Sequence, residues 1–231
     1  LLPSAAMAQG YIDTVPLRSP RPELERPLVP ARRNFLDAFP LRQQTKYFDF
    51  RFRRNPQLIG EIAQFMDAFI GVVGRDFFKA DFDYPIRVLV LEDRVALGEF
   101  LRSEFNFNDP PGFGVYFSAH KLFVTYESSG LGTFAHEIMH PLVQRNLTDC
   151  PVWALEGIPA FFEKFYGYWT NREPVVHWGY QNPWRIDLLG TNLVRLDLKR
   201  ILSTTRSQGD YNECDLRMVS MFLWEIGRAH V

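Results

Sequence analysis

The order of elements read from this sequence predicts an α+β domain: a small mixed or antiparallel sheet followed by a pair of helices. Three observations carry that reading. Short β-type segments crowd the first part of the chain, helical periodicity takes over after residue 130, and strands and helices do not alternate regularly, as they would in a doubly wound sheet.

Taken in order, Tyr47-Phe48-Asp49-Phe50-Arg51-Phe52 alternates apolar and polar residues, the pattern of a half-buried strand. Leu58, Ile59, Ile62, Phe65, Met66, Phe69 and Ile70 recur at helical spacing. Ile86 to Leu91 is a second strand, and Arg94 to Phe105 a helix. Phe113–Phe117 and Lys121–Tyr126 read as two more strands, with Gly112 and Gly114 marking turns or a close backbone approach. A helix begins at about Leu131. After a loop with Cys150-Pro151, a second runs from about Trp153 to Tyr166. There is no internal repeat, and no low-complexity tract follows Pro40.

The chain has 231 residues, 46% of them apolar and 15% aromatic, enough for one domain with a sizeable core. The net charge of −1 argues against nucleic acid as a partner, since phosphate binding needs a basic excess. No apolar run approaches the roughly 20 residues of a membrane helix. Residues 1–8 read as the end of a secretory signal peptide, with Ala6-Met7-Ala8 as the cleavage site, which predicts an exported protein in a bacterial periplasm, at a cell surface or outside the cell. Residues 9–45 form a Pro- and Arg-rich lead-in, and 46–224 the folded domain. Glu225 to Val231 reads as translated sequencing adapter, so the reading ends near Trp224 and sets His230 aside. Cys150 and Cys214 would be free to pair in an exported chain and would stay reduced in a cytosolic one.

The chemistry centres on His136-Glu137-Ile138-Met139-His140. Residues four apart share one helix face, so His136 and His140 can bind one Zn²⁺. Glu137 stands beside the first ligand and can take a proton from water acidified by the metal. The plain alternative is a helix with two half-buried histidines. A catalytic zinc needs a third protein ligand and an open position.

Downstream lies Trp153-Ala154-Leu155-Glu156-Gly157-Ile158-Pro159-Ala160-Phe161-Phe162-Glu163. His-Glu-x-x-His followed by this Trp-x-x-Glu-Gly-x-x-Ala-x-x-x-Glu helix resembles the gluzincin zinc metallopeptidases, closest to the peptidase MA-like group. The resemblance covers roughly residues 46–224, but its specific part is 133–163. It implies a zincin-like fold, with Glu156 as third zinc ligand. The last piece, Tyr211 to Trp224, resembles the helix that closes such a site, where Tyr211 would polarise a carbonyl; the alternative is a packing role. Glu163, seven residues after Glu156 and on nearly the same face, can accept a hydrogen bond from a ligand histidine or be a solvated helix-end residue. Pro141 and Pro159 depart from the pattern and put helix geometry in question. His120, His177 and the aromatics Trp178, Tyr180 and Trp184 are read as surface or packing residues.

These readings predict a zinc hydrolase acting on a peptide or protein substrate, docked on an edge strand around Lys121–Tyr126. The competing readings are an exported zincin-fold binding or scaffold protein without turnover, and a zinc amidase acting on a non-peptide amide.

Overall fold

A computed structural model describes residues 35–78, 82, 84–147, 150–170, 173–180 and 198–203. The leader, most of the lead-in, Trp184, Tyr211, Cys214 and the adapter-like end lie outside the described residues.

A mixed sheet organises the rest. Its strands are β1 (Leu41–Gln44), β2 (Phe48–Phe52), β3 (Ile86–Leu91), β4 (Gly114–Phe117) and β5 (Leu122–Tyr126), in the order β1-β2-β3-β5-β4. β2, β3 and β5 are parallel, while β1 and β4 are antiparallel edge strands. The helices are α1 (Pro56–Phe77), α2 (Arg94–Phe105), α3 (Leu131–Asn146), α4 (Val152–Phe162) and α5 (Leu198–Ser203). Strands β6 (Tyr166–Thr170) and β7 (Glu173–His177) form a separate antiparallel hairpin.

The period-two side-chain pattern sorts the sheet into two cores. Phe48, Phe50, Phe52, Ile86, Val88, Val90, Tyr116 and Phe123 face α1, α3, α4 and the hairpin. Leu89, Leu91, Val115, Phe117, Leu122, Val124 and Tyr126 face α2, together with Phe35 and Phe39 from a turn of 3₁₀ helix at Phe35–Ala38. This is the α+β architecture expected, with a small mixed sheet and several helices.

Three expectations are corrected. The sheet begins at Leu41, inside the segment read as lead-in, because Arg42 pairs with Asp49 across β1 and β2 at 2.7 Å. β5 is an interior strand between β3 and β4, so the edge is β4 rather than Lys121–Tyr126. The second helix stops at Phe162, and Tyr166 opens β6 instead. Apart from these, α1 spans 22 residues and passes by length and composition for a helix that could cross a membrane, although half of its most apolar window is buried inside the fold. Its buried face (Ile59, Ala63, Met66, Phe69, Ile70, Val73) belongs to the core over the sheet, as in a core helix of a globular domain.

Candidate metal centre

The turn between β5 and α3 aims the motif helix. Tyr126 ends β5, and Gly130 (φ 88°) lets the chain reverse in a backbone region that side chains disfavour. Thr133 Oγ1 donates to Ser129 O at 2.9 Å, and Thr125 Oγ1, fully buried, donates to Phe113 O at 2.8 Å with Ser129 Oγ also 2.8 Å away. These bonds tie the start of α3 to β5 and to the strand lead-in beside it.

α3 then runs through Pro141 to Asn146 as one helix. Pro141 lacks the N–H that would bond to the carbonyl of Glu137, but it is buried and does not end the helix. Phe134, Ala135, Ile138, Met139 and Leu142 bury the sheet-facing side. Gly132, His136 and His140, spaced four apart, share a face that meets α4. A Cβ on Gly132 would lie 2.7 Å from the carbonyl oxygen of Glu163, so the absent side chain is what lets the end of α4 come this close.

That approach gathers the acidic residues. Glu163 Oε2 lies 3.3 Å from His136 Nδ1, and Glu156 Oε2 lies 3.8 Å from His140 Nε2. The rings of His136 and His140 stand 5.2 Å apart at 76°. The side chains of His136, His140 and Glu156 are only 12–13% exposed and that of Glu163 8%. One ligand atom from each of His136, His140 and Glu156 falls within 4.8 Å of the others, so these three residues form a group that could hold a metal ion. A tetrahedral ion with bonds of about 2.0–2.2 Å spaces its ligand atoms roughly 3.4 Å apart. Closing on an ion therefore needs shifts of about an ångström or less, within reach of side-chain rotation. With Nδ1 of His136 turned to Glu163, its Nε2 is the nitrogen left for the centre.

Glu137 points elsewhere, as the next residue on a helix must. Its Oε2 accepts a hydrogen bond from Tyr116 N, on edge strand β4, at 2.9 Å. Sequence reasoning did not single out Tyr116 or Gly132. For Gly132 a signal existed, a glycine one helical turn before the first histidine; for a backbone amide on a strand there was none.

Among the described residues, the other two histidines, His120 and His177, contact aromatic rings away from the seam. His120 lies in a 3₁₀ turn after β4, with its ring 6.1 Å from Phe105 and 6.4 Å from Phe117. His177 ends β7 and stacks on Tyr168 at 6.1 Å. Trp178 packs on Phe77 at 4.9 Å and on Phe162 at 5.8 Å, while Tyr180 is exposed. Cys150 is half-buried ahead of α4.

An open groove of about 600 Å³ lies apart from this cluster, lined by Gln43 and Lys46 near β1, Gln64 and Asp67 of α1 and Trp169 of the hairpin. Cavity size favours the groove, but chemistry favours the α3–α4 seam, where largely buried imidazoles and carboxylates converge. No protein-family model matches the chain, and no curated protein matches it.

Proposed function

We propose that the chain is a zinc-dependent hydrolase with a zincin-like fold that cleaves peptide bonds, with His136, His140 and Glu156 holding the metal and Glu137 acting as general base. The observation that carries this reading is the convergence of the three donor atoms within 4.8 Å on one seam, in residues already set out as His-Glu-x-x-His plus a downstream Glu. Two imidazoles and one carboxylate suit zinc, and three protein donors leave a fourth position open, as catalytic zinc sites do.

A bound zinc would supply Lewis acidity, lowering the pKa of water it holds to about 7. The protein's own part follows from its geometry. Glu163 Oε2, 3.3 Å from His136 Nδ1, is placed to accept that N–H once the ring closes on a metal, which would set its tautomer and orientation. Glu137, adjacent to His136 but outside the donor group, is the carboxylate we assign to take a proton from the attacking water and pass it to the leaving amine. Removing a general base typically lowers turnover about 10²–10⁴-fold.

The test is metal analysis of the purified chain, then a peptide-library assay of wild type beside Glu137→Gln. One zinc per chain in both, with turnover reduced about 10²-fold or more in the variant, is the expected result. A wild-type protein that takes up no metal would sink the reading. Zinc binding with no cleavage in either protein would favour the scaffold reading instead.

A further inference from the structure

The strand beside the candidate centre is β4, an outer antiparallel strand of the five-stranded sheet. An outer strand directs alternate N–H groups away from its only neighbour. Tyr116 stands opposite Phe123 in the register with β5, yet its N–H donates to Glu137 Oε2 at 2.9 Å. That amide therefore points off the sheet, toward α3. The Tyr116 ring is buried in the core beneath α3. Burial, and then a hydrogen bond with Tyr84, push its phenol above the ordinary range, so it stays neutral and serves as packing.

We propose that the Tyr116 backbone N–H is a positioning group, which pins one oxygen of Glu137 to the edge of the sheet and so fixes the rotamer from which the other oxygen takes the proton. The catalytic consequence rests on Glu137 being the base; the contact itself does not. A glutamate side chain has three rotatable bonds, and an unpinned carboxylate would sample several orientations. A charge-assisted hydrogen bond from a main-chain amide removes that freedom, and because the donor is backbone, no substitution of the Tyr116 ring alone can abolish it. It also links the base to the strand: a shift of β4 along β5 would move the donor and the carboxylate together.

Two measurements on the full chain test this. The first is amide hydrogen exchange followed by NMR. The Tyr116 amide should exchange about tenfold or more slowly than an open edge amide, lose that protection in Glu137→Ala, and keep it in Glu137→Gln, whose side-chain oxygen still accepts. Val115 and Phe117, whose amides face β5, should be unchanged. Equal Tyr116 exchange in wild type and Glu137→Ala would overturn the proposal.

The second compares Tyr116→Pro with Tyr116→Ala. Both lose the ring, but only proline loses the N–H, at an outward-facing edge position where proline is tolerated. kcat for the proline variant should fall about tenfold to a hundredfold below that for the alanine variant, with KM nearly unchanged. Equal kcat values would overturn the positioning role. If wild type cleaves no peptide, the proposed function fails, while the exchange result still decides whether Tyr116 holds Glu137.

Discussion

Two helices lie on opposite faces of one sheet and obey different rules. α2 is regular. Asp93 caps it by accepting from Ala96 N at 2.9 Å, Asn106 ends it in the left-handed region at φ 56°, and Leu97, Leu101 and Phe105 fill the core beneath it. α3 breaks these rules. Gly130 gives it no side-chain cap, Pro141 sits inside it, and His136 and His140 lie nine-tenths covered on the seam with α4. Burying polar groups is costly unless they are paired, and the acidic partners come from another helix. Local rules tend to fail where a site has been built, and here they fail on α3 and α4 together. α2 serves the core alone, whereas α3 serves the core and also carries two residues of the candidate metal centre.

The contrast can be broken or sharpened by substitution, taken from the largest expected effect to the smallest. Leu97→Ala empties a fully buried position on α2 and should cost about 2–5 kcal/mol in denaturant unfolding. Zinc affinity of the folded fraction should not change; a tenfold loss would mean the two faces are not independent. Glu163→Gln should weaken zinc binding about 10–100-fold in a competition titration, since the amide cannot hold His136 as a carboxylate does. Unchanged affinity would reduce Glu163 to a helix-end residue.

Gly132→Ala places a methyl 2.7 Å from the Glu163 carbonyl and must part α3 from α4 by several tenths of an ångström. It should cost about 1–3 kcal/mol and weaken zinc binding at the same time, whereas most alanine-for-glycine changes within a helix stabilise. A stabilised variant with intact zinc binding would show that the seam is looser than described. Asp93→Ala should cost about 1 kcal/mol through the lost cap and leave the metal site alone.

Much of this fold was legible where one residue pattern met one environment. β3 and α2 have the expected bounds because an apolar run broken only at Arg87 and a capped amphipathic helix are local signals. β1 was missed because Leu41-Arg42-Gln43-Gln44 is a short polar edge whose strand character comes from pairing with β2. The hairpin was missed because both its faces carry aromatics: Tyr166 and Tyr168 stay exposed, while Gly167 lies against Phe65. The same mixing hid the end of α4, where aromatics resume at Phe165 and Tyr166 after Glu163-Lys164 although the helix stops at Phe162.

For the site, the sequence alone determined what lies within one helix. A spacing of four places His136 and His140 on one face, and Glu137 must then stand off it, because helix geometry depends only on position along the chain. Only the tertiary structure decided that Glu156 and Glu163 arrive opposite those histidines and that Glu137 meets Tyr116. Those distances depend on how closely two helices and an edge strand approach. That is set by packing, at the missing side chain of Gly132 and in the core beneath α3, and no spacing along the chain encodes it.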